Sequence, residues 1–224
     1  MNKRNQKIFG MAVLLLALTG CGSQKPVTVP EKALEYFPEA QLIESDSFDQ
    51  DSGTWNILAP GGIQNGVLTL NAGGWYSNSY NKLIADGQGV VLEFTYSNGS
   101  IFELLLLNGE WGTDQHKRFG FYIDENAIRP NLPTNNLGED NLSLGLAMRP
   151  DTTYAILMAV MSGGRFLAVI WDPADPHQAI EYAKTAGDAW AGFQWTFSIG
   201  GNYGTIRFDN FQYINLEGAA EGQQ

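Results

Sequence analysis

The stretch Val90-Val91-Leu92-Glu93-Phe94-Thr95-Tyr96, followed by Ser97-Asn98-Gly99 and then Ile101-Phe102-Glu103-Leu104-Leu105-Leu106-Leu107, decides the class of fold. In its first run Val90, Leu92, Phe94 and Tyr96 alternate with Val91, Glu93 and Thr95. Successive side chains of a strand point to opposite faces, so this period of two describes a strand with one face in a core. Ser-Asn-Gly is turn chemistry, and a second apolar run after it makes a hairpin.

The same grammar continues in both directions. Thr54–Leu58 follows Asp51-Ser52-Gly53, and Val67–Leu70 follows Gln64-Asn65-Gly66. An Asn-Gly pair ahead of an alternating run is a strong hairpin signal. Lys117–Ile123 sets Phe119, Phe121 and Ile123 against Arg118, Gly120 and Tyr122. Thr153–Met161 and Arg165–Trp171 form a hairpin around Ser162-Gly163-Gly164, and Asp172–His177 reads as another turn. Ala189–Ile199 alternates Phe193, Trp195, Phe197 and Ile199 with Gln194, Thr196 and Ser198, and Gly200-Gly201-Asn202 is expected to turn it into Thr205–Ile214. Residues 130–143 read as a long polar loop. Ten to twelve short strands, no long amphipathic helices and no fixed-period repeat predict an all-β, two-sheet antiparallel sandwich. The 26 glycines, 12% aromatics and only 17% charged residues agree with this.

The first residues carry a different message. Lys3, Arg4 and Lys7 precede an apolar run of eleven residues, Ile8–Leu18, and then Leu18-Thr19-Gly20-Cys21. A basic start, a short apolar stretch and small residues before a cut site are the parts of a secretory signal, and the run is too short to span a bilayer. Residues 18–21 resemble the lipobox of bacterial lipoproteins. That resemblance implies cleavage before Cys21 and lipidation of it, hence an extracytoplasmic protein whose partner is the membrane that holds it. An ordinary secreted protein with an incidental cysteine is the alternative. Cys21 is the only cysteine, so the mature domain folds without a disulfide. The expected division is a signal at 1–20, a lipidated cysteine and flexible tether at 21–44, the sandwich at 45–217 and a disordered tail at 218–224. Within the tether, Glu31–Tyr36 has room for one or two helical turns before Pro38.

Losing Lys3, Arg4 and Lys7 with the signal takes the formal charge from −11 to −14. Such a chain has no basic surface for phosphate, which argues against nucleic-acid binding. The acidity reads mainly as solubility, and secondarily as carboxylates available to a divalent cation.

Three segments resemble jelly-roll domains of the concanavalin A-like lectin/glucanase and laminin G-like kind. They are Asp46-Ser47-Phe48-Asp49 with Trp55, then Asn65-Gly66-Val67-Leu68-Thr69-Leu70, and finally Gly204-Thr205-Ile206-Arg207-Phe208-Asp209-Asn210-Phe211. Arg165–Pro173, with Trp171-Asp172-Pro173, is similar to a strand of such domains. The resemblance spans most of residues 45–216. It implies a jelly roll of a class that includes glycan-binding modules and glycanases. Several such modules hold one structural calcium ion, and the matching positions here are Asp209 with Asp46 or Asp49; the alternative for Asp209 is a hydrogen bond to a nearby backbone turn. The Glu-x-Asp-x-x-Glu strand motif of the glucanases does not occur, and no catalytic residue is assigned. Glu93 and Glu103 sit on different predicted strands and could face one another across a hairpin; the alternative is two polar residues at a sheet surface or rim. His116 and His177 read as loop residues.

Pyranose rings offer CH-rich faces to aromatics and hydroxyls to polar side chains. The candidate carbohydrate platform is therefore Trp75, Tyr76 and Tyr80 in a Gly/Asn/Ser-rich segment read as a loop, Trp111 in another, and Tyr122 with Arg118 on one strand face. Trp55, Trp171 and Trp195 belong to strand patterns and are expected in the core. The expected function is a non-catalytic carbohydrate-binding module. A glycoside-processing enzyme and an adhesion or scaffold lipoprotein are the alternatives.

Overall fold

The computed structural model describes residues 27–109, 117–124, 127–130 and 146–217. Their order is α1 (Glu31–Tyr36), β1 (Gln41–Asp46), β2 (Trp55–Ile57), β3 (Gly61–Gln64), β4 (Val67–Ile84), β5 (Gln88–Tyr96), β6 (Ile101–Asn108), β7 (Lys117–Ile123), β8 (Ile128–Pro130), β9 (Tyr154–Met161), β10 (Arg165–Asp172), β11 (Asp175–Thr185) and β12 (Trp195–Asn215), with one 3₁₀ turn at Gly187–Ala189. Every pairing among them is antiparallel.

Two long strands, β4 and β12, organise two layers. The first part of β12 pairs with β6 (Thr196↔Leu107 to Tyr203↔Ile101) and with the second part of β4 (Trp195↔Ile84 to Gly201↔Tyr76). With β7, β8 and β2 these make the front layer. The second part of β12 pairs with β5, with β1 and with the first part of β4; β3, β9, β10 and β11 complete the back layer. Rings meet across the gap. Phe119 of β7 lies 5.2 Å from Phe166 of β10 and 5.5 Å from Tyr182 of β11 (ring centroids), and Phe166 lies 4.9 Å from Trp195. Strands that share no ladder but share ring contacts are stacked face to face, which is the sandwich the alternation predicts.

The residues explain the elements. Between β3 and β4, Asn65 (φ 55°) and Gly66 (φ 74°) both take positive φ in a two-residue loop, the primed turn whose twist suits a hairpin. The odd-even split of β6 buries Phe102, Leu104 and Leu106 in the main core. On β9 every residue from Tyr154 to Val160 is buried, because both of its faces are covered. Ile156, Met158 and Val160 join the main core, while Ala155, Leu157 and Ala159 enter a second cluster on the outer side of the back layer with Ala33, Val169, Trp171 and Ile214. Trp55, Trp171 and Trp195 are all buried, as the strand patterns require.

Four expectations change. Residues 30–44 are not simply tether: α1 packs Ala33, Tyr36 and Phe37 onto the second cluster, and β1 starts at Gln41, pairing Gln41 with Asn215. Apolar side chains in that stretch find an open sheet face, which a sequence pattern cannot show. The turn at Asp172–His177 is narrower, since Asp175, Pro176 and His177 already belong to β11. The alternating run read from Ala189 begins as a strand only at Trp195, after the 3₁₀ turn. Gly200-Gly201-Asn202 is no turn but the middle of one 21-residue strand, β12. There a register shift between Gly201 and Tyr203 bends the strand from one layer into the other. A β-carbon on Gly201 would lie 2.5 Å from Leu70 Cδ2, so the missing side chain leaves room for the Leu70, Ala72 and Ile206 side chains packed at the bend.

Candidate functional site

The outward face of the front layer is the site. Its rows follow from register. Glu103 of β6 stands opposite Tyr122 of β7 and Gly200 of β12, and Gly200 opposite Ser77 of β4. One row along, Leu105 stands opposite Gly120 and Ser198, and Ser198 opposite Ser79. The next row sets Leu107 opposite Arg118 and Thr196. Because a strand alternates faces, the residues that bury Phe102, Leu104, Phe119, Phe197 and Ile199 necessarily turn these small and polar partners outward.

Trp75 and Tyr122 rise from this floor. Their rings approach to 6.5 Å between centroids at 45°, although they start from β4 and β7. Trp75 is 54% exposed. Beneath and beside them lies a depression of about 550 Å³ lined by Trp75, Tyr76, Ser77, Glu103, Leu105, Leu107, Arg118, Ser198 and Gly200. Glu103 is 7% exposed and Ser198 4%, so both polar groups sit at the bottom. Burial raises the Tyr122 phenol above its ordinary value; the charge of Asp124 and, more weakly, of Glu103 push the same way, and Arg129 opposes them. At neutral pH Tyr122 therefore keeps its hydrogen and can both donate and accept. Hydrophobic walls with a few convergent polar groups are the composition of small-molecule sites.

The expected platform is partly assembled here. Trp75, Tyr76, Tyr122 and Arg118 line or border one depression. The segment carrying Trp75, Tyr76 and Tyr80 is strand β4, not a loop, and this separates its members. Tyr80 points inward with 1% exposure and packs 4.6 Å from Phe211 and 5.7 Å from Trp55, so it belongs to the core and not to the platform. Trp111, His116 and Cys21 lie outside the described residues. His177 is exposed on β11. Glu103, Leu105, Leu107, Ser77 and Ser198 escaped the sequence reading as members of a binding floor. The alternation put Ser198 on an outer face, but nothing in it says that this face is roofed by Trp75.

Glu93 and Glu103 do not face one another. Glu93, on β5 of the back layer, stands opposite Asp209 and accepts the Asn210 side-chain amide at 2.9 Å, whereas Glu103 is in the front-layer floor. A retaining glycosidase holds its two carboxyl groups about 5 Å apart. Among the described residues the depression contains one carboxylate, Glu103.

The carboxylates expected to hold calcium each have hydrogen-bond partners within the chain. Both oxygens of Asp46 are engaged: Oδ1 accepts the Phe48 backbone N–H at 2.8 Å, and Oδ2 accepts the hydroxyls of Ser52 at 2.7 Å and Thr54 at 3.0 Å. Asp49 accepts the Ser47 hydroxyl at 2.8 Å. Asp209 accepts the backbone N–H of Asn210 at 2.7 Å, the turn contact that was its alternative role. Burial raises the Asp209 carboxyl above its ordinary value; that same hydrogen bond opposes the rise, and the charges of Glu93 and Asp49 add to it. Calcium takes six to eight oxygens, and among the described residues no three carboxylate, imidazole or thiol groups converge to hold a metal ion.

No family model matches the chain, and no curated protein matches it either. Solved structures do. Arcelin-5, a lectin-like defense protein from Phaseolus vulgaris, superposes with a TM-score of 0.58 at 8% identity over 79% of this chain and 98% of its own. Lectin II from Ulex europaeus gives 0.56 at 10% identity, covering 79% of this chain and all of that one. A structure associated with endo-acting O-glycanases that human gut microbiota express to initiate mucin breakdown gives 0.55 at 10% identity, with 79% and 100% covered. At such identities the likeness is one of architecture: the chain has the concanavalin A-like jelly roll of the legume lectins.

Proposed function

We propose that this protein is an extracytoplasmic lipoprotein, held to a bacterial membrane by lipid on Cys21, whose jelly roll binds carbohydrate on the outer face of its front layer. The observation that carries the binding part is Trp75. A tryptophan 54% exposed above a polar floor, with Tyr122 beside it, is the arrangement that an amphipathic ring can fill: CH faces against indole and phenol, hydroxyls toward Ser77, Ser198, Glu103 and Tyr122. The membrane address rests on residues 1–21 alone. No helix among the described residues is long and apolar enough to cross a membrane.

The test is a glycan screen on the chain from residue 22, followed by titration of the best ligand against Trp75→Ala and Tyr122→Ala. Removing a ring that a ligand would otherwise cover forfeits about 1.5–3 kcal/mol, so each variant should bind about 10- to 100-fold more weakly while its melting temperature stays near that of the parent. Unchanged affinity in both folded variants rules the site out. The second reading is a glycoside-processing enzyme, in which Glu103 would be one of the two carboxyl groups that hydrolysis requires. A release of reducing ends that disappears in Glu103→Gln would establish it.

A further inference from the structure

The described chain joins the domain on the side away from the candidate site. Gln212 of β12, on the same strand face as Ile214, donates its side-chain amide to the Thr28 carbonyl at 3.1 Å. Val29, Ala33, Tyr36 and Phe37 then pack on the cluster at the outer side of the back layer, and the Tyr36 hydroxyl donates to Glu181 of β11. From Gln41 the chain is a paired strand beside β12. Residues 28–46 are thus seamed to the back layer, and Val27, the first described residue ahead of the seam, is exposed.

Lengths turn this seam into a direction. Cys21 and Val27 are six residues apart, at most about 20–22 Å of fully extended chain. Thr28 lies over β12, one strand in from the edge that β1 forms among the described residues. To lay the outer face of the front layer against a bilayer, the chain ahead of Thr28 would have to round that edge and then pass the whole depth of the sandwich. Strands are spaced at about 5 Å, stacked sheets at about 10 Å, and outward side chains add about half a sheet spacing on each side, so the path is about 25–30 Å. The chain between Cys21 and Val27 is too short for it. With the back layer toward the bilayer, no such detour is needed. The segment adds no adhesion of its own, because Glu31, Glu35 and Glu39 outnumber Lys32 and anionic lipid attracts basic residues.

We infer that this short attachment keeps the Trp75–Tyr122 depression facing away from the membrane that anchors the protein. The partner of the depression is then a molecule that is not part of that membrane, and the head group of a glycolipid in the same leaflet is out of its reach. This rests on the lipid anchor at Cys21 proposed above and adds to it a direction; it does not depend on which ligand the depression takes.

The experiment is energy transfer from the full mature chain, carrying its lipid, to an acceptor dye on the head groups of phosphatidylethanolamine–phosphatidylglycerol vesicles. Cys21 is the only cysteine and is blocked by its lipid, so one added thiol takes the donor dye. Ser77→Cys and Gln194→Cys place it on the outer face of the front layer. Glu35→Cys places it on α1, and Ala183→Cys on the outer face of β11, opposite Leu167. Two positions on each side keep the test intact if one variant fails to fold. Transfer from the back-layer donors should exceed that from the front-layer donors at least twofold. Inserting twenty Gly and Ser residues between Ser23 and Gln24 should bring the four together, since the chain then reaches round the edge. Front-layer donors that transfer as strongly as the back-layer ones at the native length overturn the inference, as does a difference that the long insertion leaves undiminished. A mature chain that does not float with the vesicles overturns it together with the lipoprotein reading beneath it.

Discussion

Replacing Asn78 with alanine tests how the front layer's edge is held. Asn78 is fully buried on β4, between the outward Ser77 and Ser79, and its Oδ1 accepts the backbone N–H of Leu58 and of Ala59, each at 3.0 Å. Those two amides belong to the connection between β2 and β3 and have no sheet partner. Losing two such bonds costs about 1–3 kcal/mol, and the buried Ala59 amide adds about 1–3 kcal/mol if water does not reach it. One contribution has the opposite sign. Asn78 Nδ2 is itself buried without a hydrogen-bond partner, so deleting it relieves about 1–2 kcal/mol of desolvation. Taken at the middle of these ranges the net expectation is a loss of about 2–3 kcal/mol, which for a domain of this size lowers the melting temperature by about 4–12 °C. Thermal unfolding followed by near-ultraviolet circular dichroism would measure it. Asn78→Asp sharpens the test: a protonated Asp keeps the acceptor and lacks the unsatisfied amide, so its deficit should be large at pH 7 and much smaller near pH 4. An Asn78→Ala variant that melts within about 1 °C of the parent would refute this account of the amide's role.

Two further expectations concern the Asp209 corner. Because the folded Asp209 carboxyl is raised, ionising it opposes folding; the penalty is absent below about pH 4, where folded and unfolded chains both hold the proton, and grows as the pH rises through the raised value. Asp209→Asn should therefore melt higher than the parent at pH 7, with the advantage shrinking on acidification, and a variant that melts lower at pH 7 would contradict this. Whether Asp49 and Asp209 hold a cation is read from melting with chelator and with calcium: a fall on chelation that calcium reverses establishes the site, and an unchanged melting temperature removes it.

Much of the architecture was legible in short-range pattern. The runs 90–96 and 101–107 announce a hairpin because side-chain direction repeats every second residue, and Asn65-Gly66 announces its turn because both positions need positive φ. Two of the errors share one cause. Gly200-Gly201 and the segment around Trp75 look like turns because glycine, serine and asparagine dominate them, yet both are paired strand, with Gly201 leaving room for core side chains in β12 and polar residues facing a groove in β4. Local propensity is a weak guide where packing decides.

The amino-acid order alone determined the alternating runs that form hairpin strands, where the Asn-Gly turn falls and that Trp55, Trp171 and Trp195 enter the core. All of these depend on neighbours in the chain. Only the tertiary structure decided that Trp75 meets Tyr122, that Glu103, Ser198 and Arg118 share a floor, and that Tyr80 lies beneath it. Those contacts join strands far apart in sequence, and their existence depends on register and on where β4 and β12 bend between layers. A shift of one residue in either strand would exchange the floor for the core.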